Sequence, residues 1–336
     1  MNVAVAGLGF MGATHLKAWK QASGAQVTAV SSSDARKLTG DLTAVGGNLG
    51  GAGEVMDFSE LRKYGSFEAM HGDAEIDAVD ICLPTDQHAH AAIAALRAGK
   101  HVLVEKPIAL NEAEADAVLN EARRSGLTLM VGHVLRFFPA YTALTGALRT
   151  AGAVHSALFR RRCGAPMWSR WLTDPARSGG GVFDLLIHDA DYCISRWGLP
   201  DSVRATGYED PARGVDVVHA ELRYGDGAPV ILTGGWHHPG AYPFSMEFTV
   251  VTDRATLDWS SGATELREYG SDGKVALHTL TEGDPFAAEV AYFADCAIEG
   301  RTPERCPPEQ SAQAVGLMRR IIESRRRSGE SVPCRS

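Results

Sequence analysis

The chain has 336 residues, 45% hydrophobic and 22% charged, proportions of a globular protein and not of a disordered or fibrous one. Lys and Arg total 33 against 41 Asp and Glu, a net charge of -8, so electrostatics gives no reason to expect nucleic acid or an anionic membrane as partner. The six cysteines are scattered without a C-x-x-C pair, and no apolar run of about 18 residues is present, which argues against a disulfide framework, a structural zinc site and a membrane span.

The N-terminal stretch MNVAVAGLGFMG lacks a basic region and is broken by glycines, so no secretory leader is expected and the cytoplasm is the expected compartment. Val3–Ala6 reads as a buried strand, followed by glycines and a helix from Gly12 to about Ala22. Gln26–Val30 is a second strand, and the stretch from Ala35 to Gly72 is less regular, with a loop at Gly46–Gly51. Asp77–Leu83 reads as a strand ending at Pro84, His88–Ala98 as a helix stopped by Gly99, and Lys100–Val104 as a strand. Asn111–Ser125 is a helix with an Asn N-cap, and Leu127–Val131 the next strand. Strands alternating with helices of this length predict βαβ units and a parallel sheet.

Near residues 130–140 the pattern changes. Val154–Arg162, Ser202–Tyr208, Val215–Tyr224, Val230–His237, Phe244–Thr252 and Thr256–Trp259 read as strands separated by turns such as Tyr224-Gly-Asp-Gly-Ala, without long helices between them. Such a succession predicts an antiparallel sheet. Helical periodicity returns over Pro285–Arg327, and its arginine cluster Arg319-Arg320…Arg325-Arg-Arg327 reads as a solvated helix end. No internal repeat is visible. At roughly 150 residues per domain the length suits two domains.

Gly7-Leu-Gly9-Phe10-Met11-Gly12 follows the first strand and opens a helix, the context in which G-x-G-x-x-G signals dinucleotide binding. The first glycine permits the turn and the second lets backbone approach a pyrophosphate. The third lets helix and strand pack closely, and the helix N-terminus favours the anion. After the second strand, where a carboxylate would bind the ribose 2′-OH, stand Ser31, Ser32 and Ser33. These hydroxyls, with Arg36 and Lys37 nearby, favour a 2′-phosphate and hence NADP; the competing reading has Asp34 reach back to the ribose and select NAD.

Lys106, in Val104-Glu105-Lys106-Pro107, directly follows a strand of the parallel half, where such sheets bind ligands. The following proline restricts it, and an X-Pro bond can be cis. A salt-bridged surface lysine is the alternative. In Gly180-Gly-Val-Phe-Asp184-Leu-Leu-Ile-His188-Asp-Ala-Asp191, helical geometry puts Asp184, His188 and Asp191 on one face. A carboxylate one turn before a histidine fixes its tautomer and raises its basicity, which suits general acid/base work. Zinc ligation and helix capping are rivals, but without H-E-x-x-H no metal is expected. Arg160-Arg161-Arg162 either meets an anionic substrate or splits between solvent and a sheet face. Trp168 and Trp171, near the glycine loop, either stack on a ring or pack in the core.

Together these pieces resemble the Gfo/Idh/MocA family of NAD(P)-dependent oxidoreductases over nearly the whole chain. The match lies in the glycine turn, Ile81-Cys-Leu83-Pro84-Thr85 with His88, Gly99-Lys-His-Val-Leu-Val-Glu105-Lys106-Pro107, Gly132-His-Val-Leu-Arg-Phe137 and the Asp184…His188…Asp191 stretch. The resemblance implies an α/β fold: a Rossmann dinucleotide-binding domain over 1–134, and over 135–336 a substrate and oligomerisation domain with a mainly antiparallel open sheet and C-terminal helices. It implies a catalytic set of Lys106, Asp184 and His188, with Glu105 near the nicotinamide. It places Gly7, Gly9, Phe10, Met11, Gly12, Ser31, Ser32, Ser33, Leu83, Pro84, Thr85, His88, Glu105 and Lys106 at the cofactor. Ser31 departs from the acid that many members carry. Implied substrates are sugars, nucleotide sugars and cyclitols, handled by a homo-oligomer. Two other readings remain: a non-catalytic dinucleotide sensor on the same fold, which would need none of Lys106, Asp184 and His188, and a metal-assisted hydrolase.

Overall fold

The computed structural model describes residues 1–47, 53–225 and 227–335. Most of the glycine loop expected at 46–51, and Asp226 of the turn after Tyr224, lie outside these residues. The chain divides into two compact units, Met1–Val134 with Gly283–Ala312, and Leu135–Glu282 with Gln313–Ser336.

In the first unit β1 (Asn2–Ala6), α1 (Phe10–Trp19), β2 (Gln26–Ser31), α2 (Ala35–Leu38), β3 (Arg62–Tyr64), α3 (Phe67–His71) and β4 (Ala78–Ile81) follow one another. They continue with α4 (His88–Arg97), β5 (His101–Glu105), α5 (Glu112–Ser125) and β6 (Leu129–Gly132). All six strands pair in parallel in the order β3-β2-β1-β4-β5-β6, so the winding reverses between β1 and β4. Such sheets are covered on both faces, which is why β4, β6 and nearly all of β1 and β5 are buried residue after residue. Asn111 caps α5 as its sequence predicts, accepting the Glu114 N–H at 2.9 Å. The first helix starts two residues before the expected Gly12 and ends at Trp19.

The second unit contains α6 (Pro139–Ala147), β7 (Val154–Gly164), α7 (Pro175–Ser178), α8 (Gly181–Trp197), β8 (Ser202–Asp210), β9 (Val215–Arg223) and β10 (Val230–His238). Four more strands follow, β11 (Ser245–Thr252), β12 (Ala255–Ser260), β13 (Glu265–Gly270) and β14 (Val275–Thr279). Their sheet runs β14-β13-β12-β11-β7-β10-β9-β8-β15, where β15 is Val332–Pro333, and is antiparallel except at β7/β10. The expectation of no long helix among these strands is corrected by α8, a helix of 17 residues, most of them buried, including Asp189 and Asp191. One core of this unit is aromatic: Tyr141, Phe159, Tyr192, Phe248 and Trp259 lie ring to ring.

Two helices complete the chain, α9 (Pro285–Glu299) and α10 (Pro308–Arg326). α9 packs on α1 within the first unit, with Trp19 and Phe293 edge to face at 6.3 Å. The arginine cluster is not uniformly solvated: the Arg325 side chain is 6% exposed and pairs with Asp216 and Glu209, whereas Arg326 and Arg327 are exposed. Among the described residues no helix is long and apolar enough to cross a membrane.

Candidate active site

The glycine turn is built as a phosphate cradle requires. Gly7 has φ +95°, and a Cβ there would lie 2.5 Å from the Cys82 carbonyl oxygen. A Cβ on Gly12 would lie 1.9 Å from the Gly7 carbonyl oxygen, so α1 could not seat against the turn. A Cβ on Gly9 meets nothing within 4 Å, which leaves the N-terminal end of α1 open to a ligand. Gly9 is the N-cap residue; no side chain caps the helix and its first turn carries no acid. Those N–H groups and the dipole end suit a pyrophosphate, so the residues present fit a dinucleotide. Phe10 and Met11 are half-buried in this first turn.

At the end of β2, Ser31 is buried and its carbonyl accepts the Gly7 N–H at 3.0 Å. Ser32 is half-buried and Ser33 exposed. The Asp34 carboxylate caps α2 by accepting the Arg36 N–H at 3.0 Å, while the Asp34 N–H donates to Ser32 Oγ at 3.1 Å. Arg36 pairs with Asp41 at 3.3 Å on the surface.

The ends of β4 and β5 are tied together. His88, buried, places Nδ1 2.7 Å from the Pro107 carbonyl and Nε2 2.8 Å from the Leu83 carbonyl, clasping the two strand-end loops. Burial pulls its pKa down. Leu83 and Pro84 are half-buried and Thr85 buried in the first of those loops. Lys106 is half-buried, and its peptide bond to Pro107 is cis.

Behind Lys106 lies a charged network that sequence reasoning missed. His15 on α1 sits with Nδ1 2.9 Å from Asp80 Oδ2 and Nε2 3.0 Å from Glu105 Oε1. Trp19 Nε1 donates to Asp80 Oδ2 at 2.7 Å. Burial opposes charge on His15, but the Asp80 carboxylate and the Cys82 sulfur hold its pKa well above the ordinary value. Burial likewise opposes charge on Glu105, yet the His15 hydrogen bond and charge, with Lys106, keep its carboxyl below the ordinary value. The legible signal was Asp80 itself, an acid inside an otherwise apolar buried strand, where a carboxylate needs a partner. His15, Asp80 and Cys82 also form the one group among the described residues whose ligand atoms lie within 4.8 Å of one another. Burial pushes the Cys82 thiol up, and the Asp80 oxygens accept from His15 and Trp19, so hydrogen bonds join these side chains.

In the second unit Asp184 and His188 are half-buried on α8, one turn apart. Asp191 is fully buried and bound twice by Arg136, at 2.8 and 2.7 Å. The N-terminus of α8 is fixed by Asp216, which accepts the Val182 N–H at 2.8 Å, and by Gly181, where a Cβ would strike the Trp236 ring at 2.5 Å. Of the three arginines on β7, Arg161 is buried against Asp189 and Tyr141, while Arg160 and Arg162 share Glu247 on the opposite face. Trp168 is 51% exposed and Trp171 half-buried.

Residues 1–133 match the family described as an oxidoreductase family with an NAD-binding Rossmann fold, and residues 147–258 match the GFO/IDH/MocA C-terminal domain. The chain belongs to the Gfo/Idh/MocA family. It is similar to D-xylose 1-dehydrogenase (NADP(+)) 2 of Haloferax volcanii, 31% identical over 269 residues, 78% of this chain and 82% of that one. It is also similar to inositol 2-dehydrogenase 2 of Saccharopolyspora erythraea, 32% identical over 221 residues, 63% of this chain and 58% of that one. Among solved structures, UDP-N-acetylglucosamine 3-dehydrogenase of Acidithiobacillus ferrooxidans matches with a TM-score of 0.78 at 25% identity, covering 96% of this chain and 97% of that one. As a Gfo/Idh/MocA member the chain is an NAD(P)-dependent dehydrogenase or reductase acting on CH–OH groups, with an NAD(P)-binding Rossmann domain.

Proposed function

We propose that the enzyme moves a hydride reversibly between the nicotinamide of NADP and a secondary alcohol or ketone of a sugar, nucleotide sugar or cyclitol. Residues 1–134 serve as the cofactor domain, and 135–336 as the substrate and oligomerisation domain in a cytoplasmic homo-oligomer. The reading is carried by an open glycine turn at Gly9 in a chain of this family, with Asp184 and His188, residue types suited to acid–base work, spaced one turn apart on α8. The names of the xylose, inositol and UDP-N-acetylglucosamine dehydrogenases support the substrate class. The six cysteines, none of them in a disulfide, agree with a reducing compartment.

The bound cofactor supplies the hydride acceptor or donor. The chain's own work is to hold it and to manage one proton. Gly9, Phe10, Met11 and Gly12 present backbone N–H groups to the pyrophosphate, and Gly7, its own N–H held by the Ser31 carbonyl, makes the turn that aims them. Ser31, Ser32 and Ser33 border the adenosine ribose, and Leu83, Pro84, Thr85, His88 and Glu105 border the nicotinamide side. Lys106 hydrogen-bonds the substrate oxygen and stabilises negative charge developing there. In oxidation His188, its tautomer fixed by Asp184, accepts the alcohol proton; in reduction it returns one. NADP is favoured because the Asp34 carboxylate caps α2, because serines and the surface cation Arg36 follow β2 in place of an acid at its end, and because one relative is NADP-dependent by name.

The test is reduction of NADP+ and of NAD+, followed by absorbance, with D-xylose, myo-inositol and UDP-N-acetylglucosamine. Turnover of at least one, faster at equal concentration with NADP+, is expected. Cofactor binding without turnover on any polyol would point instead to a dinucleotide sensor.

A further inference from the structure

His15 lies on none of the surfaces that the proposed reaction uses, yet it joins three elements. It stands on α1, its Nδ1 2.9 Å from Asp80 of β4 and its Nε2 3.0 Å from Glu105 of β5. The His15 and Asp80 side chains are 0% exposed and that of Glu105 is 7% exposed. We propose that His15 is a positioning residue, bridging Asp80 and Glu105 so that Glu105 holds the backbone of Lys106 in place for the reaction. The consequence for catalysis rests on the role given to Lys106 above; the positioning itself does not.

A neutral imidazole has one N–H, so two carboxylates on its two nitrogens call for the doubly protonated ring. Asp80 cannot turn away, because Trp19 Nε1 holds Oδ2 at 2.7 Å and the Cys82 thiol lies 3.6 Å from Oδ1. With Asp80 fixed, the ring is fixed, and its Nε2 stands at ion-pair distance, 3.0 Å, from Glu105 Oε1. The other oxygen, Oε2, accepts the Lys106 N–H at 3.0 Å. Asp80 and Cys82 face the ring from the β4 side and Glu105 from the β5 side, and α9 brings the uncharged Phe286 ring to 6.2 Å. Lys106 and His88 act on Glu105 in turn. Removing His15 therefore leaves two buried carboxylates without their shared cation and frees the group that holds Lys106.

The decisive experiment is site-resolved amide hydrogen exchange by NMR on the full chain, without substrate, comparing the wild type with His15→Gln. The Lys106 amide is expected to exchange at least about tenfold faster in the variant, while the Leu103 and Val104 amides of β5 keep their rates. No change at Lys106, or equal acceleration along β5 as a merely structural role gives, would overturn the proposal. Should His15→Gln not fold, nitrogen chemical shifts of the wild-type ring at about pH 7.5 decide it: both nitrogens protonated is the expected result, and a neutral ring overturns it. With a substrate in hand, His15→Gln should lower kcat about tenfold and leave the NADP+ Kd within about twofold. An unchanged kcat beside an impaired Lys106→Ala would overturn the catalytic consequence. Full turnover in Lys106→Ala would instead remove the role of Lys106, leaving the exchange result to stand by itself.

Discussion

Asp216 Oδ2 accepts the N–H of Val182 at 2.8 Å, so a strand residue caps the helix that carries Asp184 and His188. Its other oxygen takes Arg325 Nη1 at 2.5 Å, with the arginine side chain 6% exposed. Asp216→Ala strips a helix terminus of its acceptor and leaves a buried guanidinium with one partner fewer. Together these losses should cost about 3 kcal/mol. Urea unfolding followed by circular dichroism measures it, and a loss below about 0.5 kcal/mol would show that the pair carries no load.

The glycines of the turn separate folding from binding. Gly9→Ala places a methyl in open space and should keep stability within a few tenths of a kcal/mol, while weakening NADP+ binding about tenfold or more. Gly12→Ala drives a methyl to within 1.9 Å of the Gly7 carbonyl and should lower the melting temperature markedly. Equal effects of the two substitutions on stability and on affinity would refute this division of labour.

Cofactor choice turns on the ribose edge. Arg36→Ala removes the cation that follows the serines in sequence, and its NADP+ Kd should rise about tenfold, with the NAD+ Kd within about twofold, in fluorescence titrations. Equal losses for both cofactors would mean that Arg36 does not meet a 2′-phosphate.

His15 has its pKa raised in the folded chain against the pull of burial, chiefly by Asp80. A raised value means that its contribution to stability is complete below the unfolded imidazole value, about 6.5, and is lost as pH rises through the folded value. The stability gap between wild type and Asp80→Asn should therefore be widest near about pH 6 and narrow toward alkaline pH. Unfolding free energies at three pH values check this; a gap that does not vary would contradict it.

Much of this architecture is legible in local pattern. The apolar runs of β1, β4 and β5, the glycine turn after β1 and the Asn111 cap each follow from neighbours in sequence. What escaped depends on distant partners. His15 meets Asp80 across 65 positions, and Arg325 meets Asp216 across 109, so neither marks itself locally as buried. The strand β14 escaped for the opposite reason: all five of its residues are exposed at a sheet edge, so no alternation announces it. α8 drew attention in the sequence through the Asp184, His188 and Asp191 spacing, but its full 17 residues were not read as a long helix.

The central claim is that Lys106 and His188 handle the substrate oxygen and its proton. Single-turnover reduction of NADP+ by saturating substrate, with Lys106→Ala and His188→Ala beside the wild type, tests it most directly. The account predicts rates lower by about 10²–10⁴-fold in each variant, with the NADP+ Kd within about threefold of wild type. Either variant binding NADP+ normally and turning over at the wild-type rate would contradict it.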